Sequence, residues 1–293
     1  MYNRTDYKIG GVMVLFKPNW DITNKAVISL SAQVDQLCII DNTPDIDNSS
    51  SFKDIENIHY IPLKENRGIA AAQNIGIDYL KEQMFNFIVF SDQDSIAPQE
   101  LVYKLFSEFF ILKNSNCNIG ILGPTPVNRA TGTPYENKKK YIRNLRIGNN
   151  DYIESQSIIS SFSFIPILLF DKIGYYKEDL FIDFVENEWC FRLTHLTGLS
   201  AYISRQLLIQ HELGKSRFLL GKQINISTPF RLYFQIRNYL WLRRLNYVPK
   251  EWKTQVWNKM ILKLIYYPII PSKRLNYIKS IINGIKDGLK YKL

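Results

Sequence analysis

The sequence is short of the residues that build disulfide frameworks and zinc sites. Three cysteines and three histidines occur in 293 residues. The cysteines, Cys38, Cys117 and Cys190, are odd in number, far apart and embedded in apolar segments. Disulfide frameworks and zinc sites need cysteines at short, regular spacings. We therefore expect reduced, buried cysteines of a cytosolic protein.

Long apolar runs and phosphate-binding glycine motifs are also missing. No apolar stretch approaches the roughly 20 residues that cross a bilayer, and the polar residues 1–8 do not resemble a secretory signal. No Gly-x-Gly-x-x-Gly follows the first predicted strand, and no Gly-x-x-x-x-Gly-Lys-Ser/Thr occurs. A bound nucleotide would need its phosphates neutralised in another way.

Acidic residues are scarce in the C-terminal part of the chain. Residues 228–293 contain 14 lysines and arginines against Glu251 and Asp287, so residues 1–227 carry only −2 of the net charge of +10. The basic residues alternate with Trp, Tyr and Leu, which predicts amphipathic helices on an anionic membrane surface. A helical cap packed on the preceding domain is the alternative. Nucleic-acid binding ranks lower, since no motif for it is present.

Strands and helices alternate over the first 123 residues, which predicts an α/β fold with a mostly parallel sheet. The sequence then predicts a long loop at 124–150 and short strands at 201–204 and 207–211. Strands are predicted at 11–16, 37–40, 58–62 and 119–123, with one more ending at Asp92, and helices at 22–32, 69–80 and 99–112.

Two carboxylates follow a buried strand at Ser91-Asp92-Gln93-Asp94. Open α/β sheets bind ligands beyond the carboxyl ends of their strands. If the extended geometry persists, Asp92 and Asp94 point to one side and could hold a divalent cation with its phosphate. A polar turn explains the two residues about as well. His211 ends a predicted strand in the same way and is a suitable third ligand.

A second group of acids, Asp183, Glu186 and Glu188, lies among the aromatic residues Phe181, Phe184 and Trp189. A helix is predicted to begin at Glu186, where acids also favour the helix dipole. An aromatic wall raises the pKa of a carboxylate towards that of a useful general base. One of these acids is therefore a candidate base.

In their order along the chain, these motifs resemble family 2 glycosyltransferases of the GT-A fold, especially the rhamnosyltransferase-like branch. The matching segments are Ile40-Asp41-Asn42, Asn66-Arg67-Gly68 through Asn74-Ile75-Gly76, Ser91 to Asp94, Phe181 to Arg192, His211 and Ser227 to Asn238. The resemblance implies a catalytic domain over 1–227, with a nucleotide-sugar half at 1–123 and an acceptor half at 124–227, followed by a basic helical region at 228–293.

The resemblance also implies roles for individual residues. Asp92 and Asp94 would bind the sugar nucleotide and its Mg²⁺ or Mn²⁺ ion, with His211 as a further metal ligand. Asp41, Asn66, Arg67 and Asn74 would lie at the nucleotide. The base maps to Glu186, with Asp183 and Glu188 as alternatives.

The implied reaction is an inverting transfer of one sugar, rhamnose from dTDP-rhamnose, onto a lipid-linked or polysaccharide acceptor in bacterial surface glycan synthesis of the O-antigen or capsule type. The expected location is the inner face of the cytoplasmic membrane. Another donor, such as a galactofuranose or glucose nucleotide, and a non-catalytic membrane-bound scaffold are the alternatives.

Overall fold

A large sheet with helices on both faces organises the chain. The structure, a computed structural model, describes residues 3–129, 131–135, 141–211, 216–219, 222–269 and 274–290. For residues 141, 211, 216–219 and 222–225 it describes the backbone alone. The strands are β1 (Ile9–Leu15), β2 (Gln36–Asp41), β3 (Ile58–Pro62), β4 (Phe87–Asp92), β5 (Ile119–Asn128), β6 (Tyr141–Ile147), β7 (Asn150–Ser155), β8 (Phe164–Pro166), β9 (Ser200–His211), β10 (Ser216–Leu219) and β11 (Lys222–Asn225). The helices are α1 (Trp20–Ser31), α2 (Gly68–Glu82), α3 (Leu101–Asn114), α4 (Leu168–Ile173), α5 (Val185–Thr197), α6 (Pro229–Leu242), α7 (Lys250–Tyr266) and α8 (Arg274–Lys290).

Within the described residues, the main sheet has the strand order β3-β2-β1-β4-β8-β5-β9-β7-β6. The first four strands are parallel, as the alternating pattern predicts. β8 is antiparallel to both β4 and β5, and β5 is parallel to β9. The carboxyl ends of β1, β2, β4, β5 and β9 therefore lie along one edge of the sheet.

Alternate residues of the central strands supply two separate hydrophobic cores. In β4, Ile88 and Phe90 pack in one cluster with residues of α2, α5 and α6. Phe87 and Val89 pack in the other with residues of α1 and α3. This alternation follows from the two-residue repeat of a strand. The predicted α/β fold is confirmed.

The prediction of a loop over residues 124–150 was wrong at both ends of this segment, while residues 130 and 136–140 lie outside the described residues. β5 continues to Asn128, and the end of the segment supplies β6 and the start of β7, which pair as an antiparallel hairpin. β6 is an edge strand of the sheet, so its charged residues can face solvent without breaking the strand. That polarity made the segment resemble a loop.

The strands predicted at 201–204 and 207–211 form one longer strand. β9 runs from Ser200 to His211 along β5, with a register shift between Ser204 and Leu208. The intervening polar residues mark this irregularity and not the end of a strand, because a bulge adds residues without ending the pairing.

The helices that follow residue 228 do not all lie on the surface. α6 buries Leu232, Ile236 and Leu242 in the same core as α2 and α5. α8 packs closely on α6 at Gly284, where a Cβ atom would come within 2.9 Å of the Tyr233 carbonyl oxygen. The packed-cap alternative therefore describes α6 and the inner faces of α7 and α8, which bury Trp252 and Ile281 in the same core. No helix among the described residues is long and apolar enough to cross a membrane.

Candidate active site

β4 ends at Asp92, and the chain turns immediately afterwards. The Ser95 backbone N–H donates to the Asp92 carbonyl at 3.1 Å, so the extended geometry required for parallel carboxylates stops at Asp92. Gln93 bonds to both backbone groups of Phe16 at the end of β1, at 2.8 and 3.2 Å. Ser161 donates to the half-buried Asp92 carboxylate. Asp92 is thus held between the end of β1 and the loop before β8.

The predicted metal ligands Asp92 and Asp94 follow each other around this turn. Asp94 is exposed, and Arg129 donates to its carbonyl at 3.3 Å. His211 ends β9 at the same edge of the sheet, but its side chain lies outside the described residues. Among the described side chains, no three His, Cys, Asp or Glu residues form a metal cluster. Two carboxylates nevertheless fit Mg²⁺ or Mn²⁺, since such ions take one or two carboxylates together with substrate phosphates.

A cavity of about 520 Å³ lies beyond the ends of β1 and β2. Its lining residues are Lys17, Pro18, Trp20, Thr43, Pro44, Asp45, Ile46 and Asn48. Asp41 is fully buried, and its carboxylate accepts hydrogen bonds from Thr43 N at 2.9 Å, Asn48 Nδ2 at 2.6 Å and the Tyr60 hydroxyl at 2.9 Å. Asp41 therefore fixes the wall of this cavity.

The turn before α2 is tied to the end of β2 by Asn42. Its side chain accepts a hydrogen bond from Arg67 N and donates one to Gly68 O, both at 2.9 Å. Asn66 accepts from Gly68 N at 3.1 Å, while the Arg67 side chain is exposed. Gly68 has φ +81°, and a Cβ there would approach the Phe181 carbonyl oxygen to 2.7 Å. A glycine is therefore needed where α2 meets the acidic segment, residues 181–188.

Asn74 bonds to the chain before α5. Its amide donates to Tyr176 O at 2.9 Å and to Glu178 at 3.0 Å, and accepts from Tyr176 N at 3.1 Å. The residue is buried. It connects the nucleotide half of the fold to the acidic segment, and its nucleotide contact stays a prediction.

The loop before α5 adopts an uncommon backbone conformation. Phe181, Asp183 and Phe184 have φ values of 63°, 67° and 68°, which cost energy in residues other than glycine. The fully buried Asn238 of α6 donates to three carbonyls of this loop, at 2.8 to 3.0 Å. Asn238 thus holds the strained loop in place, which is a pattern typical of functional sites.

Glu188 lies in the protein interior. It is fully buried, and Arg192 bonds to both carboxylate oxygens at 2.9 Å. The Tyr247 hydroxyl donates to it at 2.5 Å, and the pKa of Tyr247 is raised by burial and then by the Glu188 charge. This ion pair leaves Glu188 without access to a substrate.

Arg231 of α6 is influenced by the negative charges of three acids, Asp183, Glu186 and Asp92. Asp183 pairs with the guanidinium, with 3.1 Å between Nε and Oδ2 and a shorter contact from Nη2 to Oδ1. The pKa of Arg231 is raised, first by this hydrogen bond and further by the charges of Asp183, Glu186 and Asp92. The half-buried Glu186 lies in the first turn of α5. The fold thus joins the loop before α5 to the first turn of α6, and the charge at the end of β4 reaches the same arginine.

Several residues at this site were given no role by the sequence, although Asn42, Gln93 and Arg231 lie in segments that match the family. Ser161, Gln93 and Asn42 position the site through hydrogen bonds. Lys17 lines the cavity, although Lys17-Pro18-Asn19 indicates only a strand end. Arg231 lies in a basic segment that predicts membrane contact. Its local sequence carries no signal for pairing with Asp183, 48 residues away.

The chain is similar to characterised glycosyltransferases in sequence. The family described as Glycosyl transferase family 2 matches residues 12–174. The chain is 31% identical over 292 residues to "dTDP-rhamnosyl transferase RfbF" of Shigella flexneri, covering 96% of this chain and 95% of the relative.

Solved structures of low sequence identity show the same fold. GalNAc-T7 with UDP, GalNAc and Mn²⁺ has a TM-score of 0.56 and 15% identity, over 92% of this chain and 58% of that chain. S. aureus TarS has a TM-score of 0.57 and 10% identity, over 96% of this chain and 49% of that chain. The chain thus spans about half the length of these two structures. The fold, the family match and the sequence identity confirm the predicted resemblance: the chain belongs to glycosyl transferase family 2.

Proposed function

We propose that this glycosyltransferase moves one rhamnose from dTDP-rhamnose to a hydroxyl group of a lipid-linked or polysaccharide acceptor in bacterial surface glycan synthesis. The observation that carries the proposal is that Arg231 pairs with Asp183 next to the first turn of α5, where Glu186 lies, and that the charge of Asp92 at the end of β4 also raises the pKa of Arg231. This arrangement supplies a donor-side acid, a candidate base and a cation. The similarity to a dTDP-rhamnosyl transferase over 96% of the chain supports the donor.

The donor side of the proposed site consists of the cavity beyond β1 and β2 and the turn after β4. The nucleoside would occupy the cavity, whose wall Asp41 fixes, with Asn66, Arg67 and Asn74 nearby. Asp92 and Asp94, with His211 as the predicted third ligand, would hold a Mg²⁺ or Mn²⁺ ion, which when bound stabilises the departing diphosphate as a Lewis acid.

Glu186 is the proposed general base. The buried ion pair of Glu188 with Arg192 and the pairing of Asp183 with Arg231 occupy the two neighbouring acids. Glu186 lies at the first turn of α5, and its charge acts on both Arg231 and Tyr176. Its half-buried position at the start of α5 suits it to receive a proton from an acceptor.

The proposed reaction is a single displacement. Glu186 takes the proton of the acceptor hydroxyl while the hydroxyl oxygen attacks the anomeric carbon. The bond from that carbon to the diphosphate oxygen breaks as the new glycosidic bond forms on the opposite face. The configuration at the anomeric carbon inverts, and the nucleoside diphosphate leaves.

The acceptor is proposed to lie at an anionic membrane surface that contacts α8. Leu275, Ile282 and Leu289 are 80%, 58% and 60% exposed and lie seven residues apart on α8, so they share one face. The exposed Lys279 and Lys286 lie between them. Exposed apolar residues interleaved with lysines suit the boundary between anionic head groups and acyl chains.

A donor screen tests the proposal. The purified chain is incubated with Mn²⁺ and dTDP-rhamnose, UDP-galactofuranose or UDP-glucose, and nucleoside diphosphate release is measured. We expect the highest kcat/KM with dTDP-rhamnose and loss of release in Asp92→Asn. A higher kcat/KM with another donor would replace the proposed donor. If no nucleotide sugar is bound in calorimetry, the chain is a non-catalytic scaffold.

A further inference from the structure

Arg231 is a cation from the C-terminal region within a group of carboxylates. It lies in the first turn of α6, and its backbone N–H donates to the N-cap residue Thr228 at 3.3 Å. Its side chain is 51% exposed, whereas that of its partner Asp183 is 10% exposed. The guanidinium is thus anchored on its buried side and open to solvent on the other.

Asp183 fixes the orientation of this guanidinium and leaves part of it free. Nε and one N–H of Nη2 point to the carboxylate. A guanidinium has five N–H donors, so both N–H groups of Nη1 and one of Nη2 have no acceptor among the described residues. Asp183 is itself fixed, because Asn238 donates to its carbonyl at 3.0 Å.

The orientation and the local charge together suit a phosphate group. Arginine presents a rigid fork that matches phosphate oxygens, and an arginine already held in position loses little entropy on binding. The loop that holds Asp183 is bonded to the start of α2, since the Ile69 N–H donates to the Phe181 carbonyl at 2.7 Å. The charge of Asp92, the donor-side acid at the end of β4, also raises the pKa of Arg231. A diphosphate near Asp92 would therefore lie within reach of the arginine's electrostatic influence.

We propose that Arg231 binds the phosphate oxygens of the nucleoside diphosphate and stabilises their charge as it leaves, with Asp183 as the positioning residue of Arg231. This inference rests on the proposed glycosyl transfer. It gives Asp183 a task other than that of general base and makes α6 part of the donor site. A lipid-linked acceptor also carries phosphate, but the link to Asp92 favours the donor.

Calorimetry without any acceptor tests the inference. Thymidine diphosphate with Mn²⁺ is titrated into the wild-type chain and into Arg231→Gln, Arg231→Lys and Asp183→Asn. We expect Arg231→Gln to weaken binding roughly 10- to 100-fold, and Arg231→Lys to weaken it less because the charge remains. Asp183→Asn should weaken thymidine diphosphate binding, while thymidine binding stays unchanged in every variant. Equal loss of thymidine binding would indicate a structural role and overturn the inference.

Matched variants separate this role from net charge and from misfolding. Arg243→Gln removes one positive charge at the other end of α6, about 18 Å along the helix axis from Arg231. We expect this variant to bind thymidine diphosphate like the wild type. The double variant Asp183→Asn with Arg231→Gln leaves no unpaired carboxylate, and we expect it to fold and to bind as weakly as Arg231→Gln. Farnesyl diphosphate is titrated as a probe for the phosphate of a lipid-linked acceptor. Wild-type binding of thymidine diphosphate in Arg231→Gln, or a loss of farnesyl diphosphate binding alone, would overturn the inference. If the wild-type chain binds no thymidine diphosphate, the proposed function itself fails.

Discussion

Glu186 and Glu188 lie two residues apart on α5 and have different surroundings. Glu188 is fully buried and bonded to Arg192 and Tyr247, whereas Glu186 lies half-buried at the start of the helix. Helical residues two positions apart point to different sides of the helix. The two glutamates should therefore respond differently to the same substitution.

Glu188→Gln should mainly destabilise the protein. The substitution leaves the Arg192 guanidinium without its carboxylate in the interior, and breaking a buried pair in this way typically costs about 3–5 kcal/mol. Denaturant unfolding measures the loss. The exposed Glu82→Gln is the control and should change the free energy of unfolding by less than about 0.5 kcal/mol. Wild-type stability in Glu188→Gln would contradict the importance of the pair.

Lys263 predicts a pH dependence of stability. Its pKa is lowered from 10.5 to about 8, mainly by burial and also by the charges of Lys259 and Arg231, while the charge of Asp183 opposes this change. Between these pH values the unfolded chain binds the extra proton, so the free energy of unfolding should rise with pH in that window.

Unfolding curves from pH 7 to pH 10 test this dependence. Relative to wild type, Lys263→Met should lack the rise, because the titrating amine is gone. Lys259→Met, which removes an exposed lysine of the same helix, should retain it. Parallel pH curves for the wild type and Lys263→Met would show that the Lys263 pKa does not change on folding.

Among the helices and strands, α6 connects the C-terminal region to the loop before α5. Asn238 holds the loop that contains Asp183, and Arg231 reaches the carboxylate of the same residue. α2 reaches the same segment from the other side, since the N–H of Ile69 donates to the Phe181 carbonyl at 2.7 Å. The loop's left-handed residues therefore depend on two helices from distant parts of the chain.

Asn238→Ala should disturb this loop. Its carbonyls lose their buried donor, which costs roughly 1–3 kcal/mol, and displacement of the neighbouring acids should lower kcat/KM roughly 10- to 100-fold. Steady-state kinetics and denaturant unfolding measure both effects. Asn258→Ala, an exposed asparagine of α7, should leave both values unchanged. Full activity in Asn238→Ala would contradict the coupling of α6 to the loop.

For the whole molecule, the periodicity of apolar residues predicted the fold better than it predicted the candidate active site. Strands and helices over 1–123 follow from their apolar repeats, as do the carboxylates at the end of β4. Side-chain pairs between distant segments could not be predicted in this way, because an apolar repeat gives information only about residues close together in the sequence. Asn74 bonds to Tyr176, 102 residues away, and the motif around it gave no sign of that partner.

The β6–β7 hairpin and the C-terminal helices illustrate the same limit. Charged residues on the edge strand β6 resembled a loop, since an edge strand can remain polar. The basic and aromatic residues of α6 resembled a membrane surface, although Phe234 and Trp241 are buried and Arg237 stacks over Trp241 at 4.1 Å. Composition alone does not reveal which face of a helix packs against a core.

The membrane contact proposed for α8 predicts binding to anionic liposomes. The wild-type chain should float with them at low salt, because several lysines add to the apolar contacts, and less so at high salt. Replacing Leu275, Ile282 and Leu289 by serine should abolish flotation. A control with Ile28, Met84 and Leu196 replaced by serine removes other exposed apolar residues and should float. Failure of the wild type to float at low salt would contradict the proposed contact.

In the proposed mechanism, donor binding at Asp92 and proton transfer at Glu186 are separate tasks. The most direct test measures kcat with dTDP-rhamnose, and the affinity for thymidine diphosphate with Mn²⁺, in Glu186→Gln. We predict that kcat falls roughly 10²- to 10⁴-fold while the affinity stays at its wild-type value. Wild-type turnover in Glu186→Gln, or a loss of nucleotide affinity as large as the fall in kcat, would contradict this separation of tasks.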